Sequence, residues 1–174
     1  MSIEDYEADD FFREAMVVPD EFKLALADLI INFGRIEVAV DRLISWAADF
    51  ANPSIARLMT GRIDIQPKCN LAPSVLDDLH DRQPLETFKP LAKKIENVAQ
   101  FRNSIVHGWW MVFGDSAVSM SPRPRKFMSG AIEGPRFGVS DILKNAQQAK
   151  EVEIAILTLL RQPSPTTRRG GLDC

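Results

Sequence analysis

Residues 84–108 read PLETFKPLAKKIENVAQFRNSIVHG, and the spacing of their apolar side chains decides the fold class. Leu85, Phe88, Leu91, Ala92, Ile95, Val98 and Ala99 recur at steps of three and four, the period at which side chains share one face of an α-helix. The spacing predicts a helix over Pro84–His107, with Pro90 inside its first turns or at a kink. Gly108 is expected to end it in the left-handed conformation that helix ends favour.

The same period recurs on both sides. Upstream, Pro19-Asp20-Glu21 supplies a helix-compatible proline and first-turn carboxylates. Phe22, Leu26, Leu29, Ile30, Phe33, Ile36, Val40, Leu43, Ile44 and Ala47 then mark a helix of roughly eight turns that ends before Pro53. Ser54–Thr60 reads as a short helix stopped at Gly61. Pro73–Leu79 reads as part of another, with Pro67 and Pro73 obscuring its start. Downstream, Trp109–Phe113 and Ala117–Met120 flank Gly114-Asp115-Ser116 as a β-hairpin does, and a second weak pair of strands is expected between Lys126 and Val139. Ser140 is then expected to cap a last helix, Asp141–Arg161, with Ile142, Leu143, Ala146, Ala149, Val152, Ile156, Leu159 and Leu160 on its apolar face.

These elements predict a mainly all-α fold: an antiparallel bundle of three long and one or two short helices, with a β-hairpin insertion at about 109–139 before the last helix. The bundle spans residues 19–161. An acidic, partly disordered segment (1–18) precedes it and a disordered tail (162–174), rich in proline and glycine, follows.

Composition narrows the function. At 174 residues, 45% hydrophobic and 26% charged, the chain is long enough for one domain with a sizeable core. The net charge of −3 argues against nonspecific coating of nucleic acid, which phosphate neutralisation drives. Locally the balance differs. Acids crowd the start (Glu4, Asp5, Glu7, Asp9, Asp10), whereas Arg123, Arg125, Lys126 and Arg136 have only Glu133 among them. This basic run is either a solvated loop or a guide for RNA.

The apolar stretch Leu24–Ala51 is broken by Asp28, Arg35, Glu37, Asp41 and Arg42, so it is no bilayer span, and no basic start leads into an apolar signal core. A cytoplasmic protein without membrane partners is expected. Cys69 and Cys174 are too few for a disulfide framework and have no metal-ligand spacing, so reduced thiols, no metal and no cofactor are expected. His80, in Asp77-Asp78-Leu79-His80-Asp81, reads as a surface residue in an acidic patch.

Two charges fall on the apolar stripes. Continuing the stripe of residues 88–99 brings in Arg102 before Ile105 and Val106. On the first helix, Leu26, Ile30 and Phe33 lead through Glu37 to Val40 and Ile44. A lone charge in an apolar interface costs several kcal/mol, so the two are expected to pair, an arginine fork on a carboxylate. Asn103 and His107, four apart, face the same way beside the arginine, while Arg102 and His107 differ by about 140° around an ideal helix. Three routes could bring them together: the reach of the arginine, a swing of His107 where the helix stops, or the same segment of a second subunit.

The segment resembles the HEPN superfamily, helical-bundle proteins whose motif is Arg, a polar residue and then His near the end of a bundle helix. Arg102-Asn103-Ser104-Ile105-Val106-His107 carries that pattern, and His107-Gly108-Trp109 is similar to the His-Gly-aromatic ending of many members. Glu37, in Phe33-Gly34-Arg35-Ile36-Glu37, looks like the acidic position on an early helix of some branches. The hairpin insertion departs from the minimal bundle.

The resemblance implies a metal-independent endoribonuclease, in defence or stress response, acting as a homodimer with Arg102, Asn103 and His107 at a shared cleft. Its partners would be an RNA substrate and an antitoxin or neighbouring regulatory protein. Such cleavage needs a base for the ribose 2′-hydroxyl, a cation for the phosphorane and an acid for the leaving oxygen. Histidine and arginine suit these tasks, and a 2′,3′-cyclic phosphate is the expected product. The alternative is a non-catalytic HEPN-like helical dimerisation or interaction module. In it Arg102 with Glu37 is a structural ion pair, His107 a helix-end residue near the dipole, and Trp109 and Trp110 are hairpin packing rather than stacking platforms for bases.

Overall fold

The computed structural model describes residues 17–48, 60–61, 63–79, 81–120 and 134–162. Within them the chain forms four helices and a small antiparallel sheet: α1 (Asp20–Ala47), α2 (Ile65–Asp77), α3 (Gln83–Val106), β1 (Trp109–Phe113), β2 (Ser116–Met120), β3 (Arg136–Gly138) and α4 (Val139–Leu159). No helix among the described residues is long and apolar enough to cross a membrane. Of the expected short helix 54–60, all but Thr60 lies outside the described residues, as do the acidic segment up to residue 16, the tail from 163, and Arg123, Arg125 and Lys126.

The described residues divide into two compact units: those of unit 1 fall within 1–30 and 100–146, and those of unit 2 within 31–99 and 147–174. The division falls inside α1, α3 and α4.

Helix α1 is 28 residues long, close to the expected length, and eight of the ten residues expected on its apolar face are buried. Phe22, Ala25, Leu29, Phe33, Ile36, Val40, Leu43, Ile44 and Ala47 are buried, whereas Leu26 is half-buried and Ile30 is exposed. Ile36 fills the position before Val40, and Glu37 is half-buried at its edge rather than on the stripe. The reason is compositional. Leu24, Ile31 and Val38 are also apolar yet exposed, so the helix carries two competing stripes, and small Ala25 and Ala39 mark the one that packs closely.

Helix α2, of which Pro73–Leu79 is expected to form part with its start left open, begins at Ile65 with Asp64 at its N-cap. Pro67 stands in the first turn, where the N–H groups have no intrahelical partner in any case, so it does not stop the helix. Pro73 stands inside the helix, where a proline removes one internal hydrogen bond and crowds the carbonyl four residues before it. In α3, Asp81 Oδ1 accepts from the Gln83 N–H at 2.9 Å and satisfies one of the unpaired first-turn donors. Pro90 falls inside the helix, beyond its first two turns.

Unit 2 encloses an ion pair. Lys68 is 4% exposed, and its Nζ lies 2.8 Å from Asp41 Oδ1. Beside it, burial first and Glu96 second push the Cys69 thiol from its ordinary 9.0 up to about 11, with Lys68 opposing them. A raised folded-state value holds the proton, so the resulting stability is complete below pH 9.0 and is lost as pH rises through about 11. Because only the thiolate attacks, Cys69 in a Cys174→Ser chain is expected to resist iodoacetamide at neutral pH and to react once denaturant is added. Rapid alkylation of the folded chain would contradict the burial.

In unit 1 the hairpin forms as expected, with the two-residue turn Gly114-Asp115 joining Phe113 to its partner Ser116. Gly114 has φ +61°, which the tight hairpin turns require at their first central residue. Of the second pair expected between Lys126 and Val139, residues 126–133 lie outside the described residues; β3 adds to β2 in register, Ala117 opposite Phe137 and Val118 opposite Arg136. A methyl group at Gly134 would run into the Ser119 carbonyl, so a glycine is needed where the chain approaches β2.

Helix α4 starts at Val139, so Ser140 is inside the helix and is not its cap. Asp141 acts instead: its Oδ2 accepts from the Gly138 N–H at 2.9 Å, the acidic half of a capping box with Gly138 in the cap position. Leu143, expected on the apolar face, is 45% exposed.

Candidate active site at the end of the third helix

The last turn of α3 is held by the hairpin that follows it. A helix leaves its final carbonyls without intrahelical donors, and here two of them are met by side chains. The Trp110 indole Nε1 donates to the Ile105 carbonyl at 2.6 Å, and the Ser119 hydroxyl donates to the Ser104 carbonyl at 2.6 Å. Gly108 therefore has no need of the expected left-handed turn; among the described glycines only Gly114 has positive φ. The helix ends at Val106 because the chain turns into β1, and indole and hydroxyl take the role assigned to the glycine. Nothing in the residue pattern pointed to Ser119, which is 1% exposed. The signal for Trp110 was only that of two adjacent tryptophans one must face inward.

The capping indole is itself fixed. Trp110 lies edge-to-face against Phe137 at 5.0 Å between centroids and against Phe22 at 6.2 Å, and Phe101 meets Phe137 at 6.4 Å. Such pairs add roughly 0.5–1.5 kcal/mol each beyond the area they bury. Phe101 directly precedes Arg102, so the aromatic cluster anchors the backbone that carries the candidate residues.

Arg102 is half-buried, less than its place on the stripe implied. Ile105 is the next fully enclosed residue beyond Ala99. The Nη1 of Arg102 donates to Asn103 Oδ1 at 2.8 Å, which sets the plane of the guanidinium from the neighbouring exposed residue. His107 is exposed in the turn after α3. The fold thus joins Arg102 directly to Asn103 and presents His107 one turn further on. Glu37 belongs to unit 2 and the other three to unit 1. Arg136 is exposed on β3, and among the described residues no three His, Cys, Asp or Glu side chains gather as a metal site would require.

Comparison with models of known protein families, with characterised proteins and with solved structures finds no match to this chain.

An arginine and an exposed imidazole at a rigid helix end are chemically suited to an anionic phosphodiester. Guanidinium presents paired donors to phosphate oxygens, and imidazole exchanges protons near neutral pH. Cations are also favoured at a helix C-terminus, where the dipole is negative.

Proposed function

We propose that the chain is a metal-independent endoribonuclease of HEPN type, a helical bundle that acts as a cytoplasmic homodimer on RNA and is restrained by an antitoxin or neighbouring regulatory protein. The observation that carries this reading is the Arg102–Asn103 contact on the last turn of α3, with His107 open to solvent just past it. In the proposed reaction His107 takes the ribose 2′-hydroxyl proton or protonates the leaving 5′-oxygen. Arg102 balances the charge that builds on the phosphorane, and Asn103 keeps the fork oriented. One histidine cannot hold both proton roles in the same instant. Two chains facing each other across a two-fold axis would supply the second, which is why the reading includes a dimer. Arg136 on the adjoining sheet, with Arg123, Arg125 and Lys126 in the segment that precedes it, would draw the RNA in. Incubating the purified chain with mixed RNA in EDTA tests the proposal: fragments are expected with the wild type and not with His107→Ala.

A second reading, a non-catalytic module, draws on unit 2. Ile31, Gly34, Arg35, Val38, Ala39, Arg42, Glu153 and Leu157 line an open cavity of about 300 Å³. A methyl group at Gly34 would meet nothing within 4 Å, although glycine inside a helix costs about 0.5–1 kcal/mol relative to alanine. The chain's own packing gives no reason for that glycine, whereas close approach of another helix would. Gly34→Ala is expected to raise unfolding stability by about 0.5–1 kcal/mol. A simultaneous fall in self-association, measured by light scattering, would favour the module.

A further inference from the structure

We infer that the indole of Trp109 is a stacking platform for an unpaired base of single-stranded RNA. Trp109 is 60% exposed, which withholds from the core the largest apolar side chain available to it. Its neighbour Trp110 shows the alternative use of the same residue type, packed among aromatics and hydrogen-bonded to a helix carbonyl. Strand alternation puts the two on opposite faces of the sheet.

The register places Trp109 and Met111 on β1 on one face with Val118 on β2 and Arg136 on β3, since Met111 is opposite Val118 and Val118 opposite Arg136. The middle of that face is covered, with Met111 4% and Val118 3% exposed, and Trp109 and Arg136 stand at its rim. From strand spacing and rise, the Cα atoms of Trp109 and Arg136 are roughly 12 Å apart. Arg136 is exposed as well, so the rim of the three-stranded sheet offers a π-surface and a cation within the span of a short oligonucleotide. His107, also exposed, precedes Trp109 by two residues. The acidic turn residue Asp115 is at the other end of β1, away from the indole.

This chemistry selects its ligand. Stacking needs a base whose face is open, as in single strands and loops and not within a duplex, while the nearby cations favour a phosphate backbone over an acidic or neutral protein surface. The position of the platform beside His107 ties it to the nuclease reading, but its binding role does not require cleavage.

The test uses the full chain and a fluorescently labelled 2′-O-methyl oligoribonucleotide of about ten nucleotides, which lacks the 2′-hydroxyl that the proposed reaction consumes. Anisotropy titration is expected to show Trp109→Ala weakening binding roughly five- to hundredfold, and Trp109→Phe retaining most of the affinity. A duplex of the same sequence should compete poorly. Because the side chain is exposed, both variants should keep the wild-type circular dichroism and melting midpoint.

Equal affinity of wild type and Trp109→Ala, equal competition by duplex, or no binding of the oligonucleotide would overturn the platform. So would a Trp109→Ala effect confined to the molar mass in solution, which would make the indole a protein contact. Tryptophan-dependent binding without cleavage of ordinary RNA would leave the platform standing and reject the nuclease. Cleavage with an unchanged KM in Trp109→Ala would do the reverse.

Discussion

Chains carrying His107→Ala are expected to cleave RNA more slowly by a factor on the order of 10² to 10⁴, the usual contribution of a positioned proton-transfer group. The fold should be unaffected. His107 is exposed and follows the last residue of α3, and the helix end is secured by Trp110 and Ser119 rather than by the imidazole. Unchanged circular dichroism with lost cleavage would therefore assign the loss to chemistry. Arg102→Lys should also lower activity despite keeping the charge, because an ammonium can neither share the flat contact with Asn103 Oδ1 nor present a fork to phosphate. If two chains build each site, mixing His107→Ala with Arg102→Ala chains should restore part of the activity that each lacks. Failure to complement would place the whole site within one chain. His107→Ala chains that cleave at the wild-type rate would remove the residue from the mechanism.

Asp41→Ala is expected to destabilise the fold by roughly 3–5 kcal/mol. Its partner Lys68 has a side chain only 5% exposed, and the Nζ is 2.8 Å from the carboxylate, so truncation leaves a cation enclosed without its counter-charge. The reverse change should be milder. The Asp41 side chain is 25% exposed and keeps some contact with water after Lys68→Met. Joining the two substitutions should recover much of the loss, since an apolar pair of similar volume is often as stable as a buried ion pair. Urea titrations of the two single variants and the double variant measure these differences. A change under about 0.5 kcal/mol for Asp41→Ala, the range of an ordinary surface substitution, would contradict the enclosed pair.

The helices were legible in the sequence wherever one apolar stripe dominated. The expected bounds of α3 differ by one residue at each end from the observed Gln83–Val106. In α1 the length and most of the buried face were legible; the misses, Leu26 and Ile30, lie where Ile31 and Val38 offered a second stripe, and Glu37 stands half-buried at the edge of the face. At α2 Pro67 and Pro73 left the start open in the sequence, because a proline near a helix start is compatible with either side of the boundary. Caps were the weakest part: Gly108 and Ser140 are common terminators by residue type, but the hydrogen bonds came from Trp110, Ser119 and Asp141. Two of these act across a hairpin, a tertiary arrangement that local pattern does not encode. At the candidate site, the Arg102–Asn103 adjacency was legible as sequence, while the partial exposure of Arg102 depended on packing that periodicity alone overstated.

The central claim, that the end of α3 is an RNA-cleaving site, is tested most directly by end-group analysis of a defined single-stranded RNA incubated with the chain in EDTA. Fragments bearing 2′,3′-cyclic phosphate are expected from the wild type and from neither Arg102→Ala nor His107→Ala. Intact RNA at equimolar wild-type protein, or the same fragments from all three chains, would contradict it.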